Sequence, residues 1–274
     1  MQHNDPMSNQ NTNSSCDSVH PPRKTLKVIG APIDVLSSAQ AVQRISAWGR
    51  AHESRYVCIC NVHSVVTASQ DAGFSKVISE ADMATPDGAP VAWMLRRLGA
   101  RDQSRVSGPD LMLEYCEHAV RTGESIFLFG STDDTLQLLI SKLKERWPTL
   151  RIAGSYSPPF RKISAEEDAA HVAMINQSGA DTVWVSLGCP KQEQWMAQHR
   201  GQIHAVMIGV GAAFDFHAGK GVRAPAWMRN IGMEWLHRLM SEPRRLWRRY
   251  QVTNCLFIVK AFEQLRASRA GVQQ

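Results

Sequence analysis

The stretch ADMATPDGAPVAW, residues 81–93, sets a carboxylate, Asp87, between a proline and a glycine just ahead of a helix-like run. Two readings apply. A turn aspartate can cap the helix that follows it. A carboxylate at the mouth of a site can instead act as a general base, taking a proton from a nucleophile when its surroundings raise its pKa toward working pH. Asn61, in CICNVHS, ends a strand-like run, where its amide either orients a sugar hydroxyl or satisfies a turn. In CPKQEQW, Lys191 and Gln192 project from a turn that opens a helix, and Gln192 carries both a donor and an acceptor for a hydroxyl. Glu193 beside it suits the first turn of that helix as an acid facing the dipole. His63 stands two residues beyond Asn61, on the same face if the strand continues, and has no second His, Cys or carboxylate at metal-ligand spacing, so it reads as structural or supporting.

The chain contains no Asp-x-Asp. A nucleotide-diphosphate enzyme without that metal-holding pair has to stabilise its leaving group with positive charge from elsewhere. Arg105, Lys191 and the C-terminal arginines are the candidates, with no metal and no cofactor expected. Three strand ends run through a glycine into a helix: LFG-STDD, SLG-CPKQE and GVG-AAFDF. In open α/β sheets ligands sit where strands deliver their carboxyl ends, and a helix start offers N–H groups to a phosphate. The candidate nucleotide-binding set is therefore Gly130 and Ser131, then Gly188, Pro190 and Lys191, then Gly209, Gly211, Phe214 and Asp215. Glycine also serves simply to let a chain turn, and that alternative stands for each. The dinucleotide fingerprint GxGxxG is absent, because Ala212, Ala213 and Phe214 follow Gly211.

The elements that must position these groups follow from periodicity. Strand-like runs LKVIGAPIDVL, YVCICNVH, SIFLFG, LRIAGSY, DTVWVSLG and HAVMIGVG alternate with helix-length stretches such as SAQAVQRISAWGRA, GPDLMLEYCEHAVR, TLQLLISKLKERW and AEEDAAHVAMINQ. Such alternation predicts an α/β fold, a Rossmann-like parallel sheet covered by helices. Ser164 and Glu167 form a capping box at the start of the last of these helices, and Gly179 closes it. The pair Asp133 and Asp134 suits a helix N-terminus.

With 274 residues the chain holds one substantial core and a small appendage. Its net charge of +6 is unevenly placed, since residues 220–274 carry 11 Lys or Arg against 3 Glu. Residues 1–23, polar and without an apolar run, read as a disordered leader rather than a secretion signal. Residues 24–219 read as the α/β core and 220–274 as a basic helical appendage, which become a catalytic core and a membrane-proximal segment under the resemblance given below. Six scattered cysteines read as free thiols of a reducing compartment. No apolar run approaches the ~20 residues that span a bilayer. If Pro243 sits in a first helical turn, Leu246, Tyr250, Thr253 and Phe257 share one face. That face either packs on the core or lies in the membrane interface with arginines on the headgroups. An appendage of this kind predicts a core that still folds when residues from Lys220 onward are removed.

GVGAAFDFHAGKGVRAPAWMRNIGMEWLHRLMSEPRRLWRRY, together with SLGCPKQEQW, ADMATPDG and RVSGPDL, resembles the WecG/TagA/CpsF family of bacterial glycosyltransferases, glycosyltransferase family 26, from about Leu26 to Tyr250. The resemblance implies inverting transfer of a sugar from a UDP-sugar to a polyprenyl-diphosphate-linked saccharide, in surface or extracellular polysaccharide biosynthesis, at the cytoplasmic face of the membrane. It implies Asp87 as the base, Asn61, Arg105 and Gln192 as active-site polar groups, and Arg238, Arg245 and Arg248 as arginines that reach the diphosphate. The family often carries Thr-x-Asn on the second strand, whereas Ile59 stands in the threonine position here, which points to a different donor or acceptor sugar. A nucleic-acid-binding protein with stacking Trp247 and Tyr250 is the alternative from another class, and a different nucleotide-dependent enzyme on the same plan is a third. The near-neutral core weighs against nucleic acid as a partner. A homo-oligomer is compatible with the sequence, which does not specify the oligomeric state.

Overall fold

The computed structural model describes residues 23–221, 224, 225, 228, 233–241 and 243–271; the segment 1–23 read as a disordered leader therefore lies outside the described residues except for Arg23. The chain opens with a two-stranded antiparallel hairpin, β1 (Thr25–Val28) and β2 (Ala31–Asp34). LKVIGAPIDVL is thus not one strand of the main sheet, as its apolar run predicts. Ile29 and Gly30 both take positive φ, +50° and +88°, and reverse the chain in two residues. Asp34, buried at the end of β2, is held by a bidentate Arg23 (2.9–3.1 Å) and accepts the Ala84 N–H at 2.7 Å, which pins the hairpin to the sheet.

The main sheet has six parallel strands: β3 (Arg55–Cys60), β4 (Met83–Pro86), β5 (Ser125–Gly130), β6 (Arg151–Tyr156), β7 (Thr182–Ser186) and β8 (Val206–Gly209). Their spatial order is β4-β3-β8-β7-β5-β6. The parallel α/β expectation holds, although β4 lies inside ADMATPDG, too short to declare itself by periodicity. Between the strands run α1 (Ser38–Arg50), α2 (Val62–Ala68), α3 (Ala72–Glu80), α4 (Ala89–Arg97), α5 (Gly108–Thr122), α6 (Asp133–Arg146), α7 (Ala165–Gln177), α8 (Lys191–Gln198) and α9 (Ala213–His217). The capping box of Ser164 and Glu167 is present, Ser178 is the C-cap and Gly179 follows at φ +61°. Asp133 and Asp134 open α6 behind the N-cap Thr132.

Because strand side chains alternate, the sheet feeds two cores. Val57, Ile59, Ile126, Leu128, Trp184 and Ile208 pack with α1, α5 and α6 on one side. Tyr56, Cys58, Cys60, Phe127, Phe129 and Met207 pack with α2, α3 and α4 on the other. Burial above all holds the Cys58 and Cys60 thiols well above their ordinary pKa, so both are neutral.

Two further described helices follow, Glu234–Ser241 and a terminal helix, Pro243–Gly271, which begins at Pro243 as expected. The terminal helix is part of the second core rather than a free appendage. Phe257 and Ala261 are buried within it, Thr253 is buried too, and Gln264 accepts the Ile29 N–H (2.8 Å) while donating to Lys27 O (2.6 Å). The face expected to carry Thr253 and Phe257 therefore packs on protein, not lipid. The side chains of Leu246 and Tyr250 lie outside the described set.

Candidate active site

All six strands of the main sheet are parallel, so their carboxyl ends share one edge, and strand order decides which candidates become neighbours. Asn61 follows β3 and Asp87 follows β4. These strands are adjacent with Cys60 opposite Pro86, and the Asp87 N–H donates to Cys60 O at 3.0 Å. Arg105 joins them because the Val106 N–H donates to Pro86 O at 2.8 Å, which lays the 104–106 strand-like segment along the end of β4. Three groups separated by up to 44 positions in the chain are thereby gathered at one corner.

Asp87 does not occupy the capping position. The N-cap of α4 is Gly88, which has φ +82° and no side chain to cap with, so the half-buried Asp87 sits one residue before it. Asn61 does cap: its Oδ1 accepts from the Ser64 N–H at 3.2 Å and starts α2. Its remaining chemistry toward a ligand is donation from Nδ2. The same cap ends the strand at Cys60 and places His63 in the first turn of α2, so the expectation that His63 continues the strand face of Asn61 is corrected. A side chain that accepts from the backbone three residues on offers the chain a helical start in place of an extended one.

The Arg105 guanidinium donates from Nη1 to Glu234 Oε2 at 2.9 Å and lies 3.6 Å from Asp110 Oδ2, itself held by Ser107 Oγ at 2.6 Å. The acid that meets it comes from the helix Glu234–Ser241, and nothing local in the sequence pointed to that partner. The side chains of Arg238, Arg245 and Arg248, named as diphosphate ligands, lie outside the described residues.

Gln192 sits two strands away and is buried, 4 % exposed. Its Nε2 donates to Glu193 Oε1 at 2.9 Å and its Oε1 accepts the Gly211 N–H at 3.1 Å, so the amide bridges two turns of the protein. Gly209 leaves room for this packing: a Cβ there would lie 2.7 Å from Met196 Cε and 3.1 Å from Gln192 Nε2, so the tips of both side chains would have to shift. Glu193 is 1 % exposed, deeper than an acid that merely faces a helix dipole. Lys191 is exposed, and Pro190 is the N-cap residue of α8.

The glycine turns are less open to an anion than their sequence suggests. The Ser131 N–H, in the left-handed region at φ +59°, donates to Ser186 O at 3.0 Å, and α6 beyond it begins with two aspartates. The Gly211 N–H is taken by Gln192. Phe214, a candidate of the nucleotide-binding set, is fully buried in the first core beside the β8 turn. Asp215 is half-buried, and its carbonyl accepts the Lys220 and Gly221 N–H groups at 3.0 Å. Gly130 and Gly188 take positive φ, +114° and +79°, and line the same edge. At that edge α2 and α4 are the helix starts without an acid in the first turn, whereas α6, α8 and α9 each carry one. The corner of Asn61, Asp87 and Arg105 nevertheless carries mixed charge, because the acids Asp87, Asp110 and Glu234 stand there with the arginine. Among the described residues no three His, Cys, Asp or Glu side chains gather as a metal group.

The family model for glycosyl transferases of the WecG/TagA/CpsF family matches residues 26–271. Among curated proteins, the chain is 33 % identical over 219 residues to the N-acetylglucosaminyldiphosphoundecaprenol N-acetyl-beta-D-mannosaminyltransferase of Bacillus subtilis, covering 79 % of this chain and 80 % of that protein.

Proposed function

The chain belongs to the WecG/TagA/CpsF family of glycosyl transferases, and from that premise we propose that it transfers a sugar, with inversion, from a UDP-sugar to a polyprenyl-diphosphate-linked saccharide in bacterial surface or extracellular polysaccharide biosynthesis. The observation that carries this reading is that Asn61 and Asp87 follow the adjacent strands β3 and β4, with the segment of Arg105 hydrogen-bonded to the end of β4, at the carboxyl edge of the sheet. Asp87 takes the proton of the acceptor hydroxyl as that oxygen bonds to the anomeric carbon. The bond from that carbon to the UDP oxygen breaks on the opposite face, and UDP departs with the electron pair. Arg105, Lys191 and backbone amides stabilise the charge on UDP, joined by Arg238, Arg245 and Arg248, and no divalent ion is required. Gln192 holds the donor side through the turns it bridges.

The relative's name makes N-acetylmannosamine and an N-acetylglucosaminyl-diphosphate lipid the first donor and acceptor to test. Ile59, 7 % exposed, packs in the apolar core beside the site, so it brings no hydroxyl to a substrate, and that difference supports testing other donor sugars alongside. A panel of UDP-sugars is offered with synthetic lipid-diphosphate acceptors, and products are read by mass spectrometry. One sugar added per acceptor, with activity unchanged in chelator, is the expected result. Absence of product from every pair, or activity lost in chelator and restored by magnesium, counts against it.

No helix among the described residues is long and apolar enough to cross a membrane. Contact with the inner face of the membrane is proposed through the terminal helix, by a different row from the one its sequence suggests. Val252, Ile258, Val259 and Phe262 are more than half exposed, as is Trp247, on a helix with seven Lys or Arg against one Glu. An apolar row flanked by cations suits an anionic lipid interface. The double variant Val259→Glu/Phe262→Glu is expected to weaken binding to phosphatidylglycerol vesicles by about tenfold or more, with an unchanged thermal midpoint. Vesicle binding equal to that of the parent chain would remove the membrane role from this row.

A further inference from the structure

Ser186, the last residue of β7, stands between the two turns that flank it on the sheet edge. Its Oγ donates to Gly211 O at 2.8 Å in the turn after β8, and its carbonyl accepts the Ser131 N–H at 3.0 Å in the turn after β5. The Gly211 residue is thus gripped on both sides, its carbonyl by Ser186 and its N–H by Gln192 at 3.1 Å. On the β5 side the approach is so close that a Cβ on Gly130 would fall 2.4 Å from Ser186 O, and the Ser131 carbonyl accepts from Ser157 Oγ at 2.8 Å. Ser131 holds a left-handed φ of +59°, a conformation that persists in a non-glycine residue where the surroundings over-determine it, whereas Gly211 takes its +54° freely. The three glycine turns that read as separate anion sites are one hydrogen-bonded unit with Ser186 at its centre.

We propose that Ser186 is a positioning residue for the donor: its hydroxyl ties the β8 turn to the end of β7, whose own carbonyl holds the β5 turn, and so fixes the β8 side of the floor on which a nucleoside diphosphate sugar rests. This role rests on the UDP-sugar reading given above. It follows from the geometry that Ser186 acts through the turns and not by touching the reacting atoms. Loss of the hydroxyl loosens the β8 turn while the backbone bond to the β5 turn remains, and a pre-organised donor site feels that freedom as weaker ground-state binding.

The test uses the full chain with Ser186→Ala and Ser186→Thr, the latter keeping a hydroxyl on a side chain that suits a strand. Hydrogen exchange, which needs no ligand, reads the hydroxyl's role itself: in Ser186→Ala the amides around Gly211 are expected to exchange faster, while the Ser131 amide, still held by the residue-186 carbonyl, is not. UDP affinity and the donor KM are expected to worsen by about five- to tenfold, the equivalent of one hydrogen bond, with kcat at saturation and the acceptor KM little changed. Ser186→Thr is expected to restore both. Unchanged exchange around Gly211, or UDP affinity within about twofold of the parent when that turn loosens, overturns the proposal. A parent chain that binds no UDP overturns the donor reading and this role with it, whereas tight UDP binding in both the parent and Ser186→Ala overturns the role of Ser186 alone.

Discussion

Replacing Asp87 with Asn is expected to lower the rate of sugar transfer by about two to four orders of magnitude while UDP binding stays close to that of the parent chain. Asn has nearly the same shape as Asp and can still donate and accept hydrogen bonds, but it cannot take up a proton from an acceptor hydroxyl. The substitution should leave the fold intact, because the cap of α4 is Gly88 and the backbone link from Asp87 N–H to Cys60 O does not involve the side chain. That separation gives the experiment its force. The expected pattern is a kcat that collapses with a thermal midpoint and a UDP affinity that do not. Near-normal turnover would remove Asp87 from the chemistry. A collapse of stability together with activity would return it to a structural role.

The second large effect concerns stability and reverses an expectation drawn from the sequence. Phe257→Ala is expected to destabilise the chain by about 3–5 kcal/mol, because the ring is buried in the same cluster as Val65, Val66 and Ala68 of α2. In a protein of this size such a loss corresponds to a fall in thermal midpoint of roughly 10 °C. Deleting residues from Pro243 onward should do more, since it also removes Ala261 and the Gln264 clamp on the hairpin and leaves an apolar surface open to water. A core cut at Lys220 is accordingly expected to be unstable or to aggregate, not to fold as an inactive domain. Calorimetry of Phe257→Ala and of the truncated chain decides the matter: a truncated core that melts at the parent temperature would show that the terminal helix is a true appendage. Loss of activity on truncation alone therefore says little about diphosphate binding by the tail, and the membrane-facing row is better probed by surface substitutions that spare Phe257.

These two expectations sit at opposite ends of what could be read in advance. Asp87, Asn61 and the glycine turns were visible because strand ends and helix starts carry local signals: a proline or glycine at the boundary, a side chain that can cap, an apolar run of strand length. The parallel α/β plan, the capping box at Ser164 and the start of the last helix at Pro243 were visible for the same reason. Each rests on residues within a few positions of one another, where period and turn chemistry act.

Other features needed the fold. Whether LKVIGAPIDVL is one strand or a hairpin depends on two residues adopting positive φ, and Ile29 gives no warning of it. Arg105 meets Glu234 across 129 positions, and Gln192 is enclosed by Gly209 and Gly211 because β7 and β8 are neighbours. Which face of the terminal helix is buried depends on α2 being there to receive it. By itself the sequence determined the kinds of element, the edge on which chemistry gathers, and the family to which the chain is similar, because those are written in local pattern and motif. Only the tertiary structure decided which candidates touch, because the strand order β4-β3-β8-β7-β5-β6 brings distant residues together and no local period encodes that order.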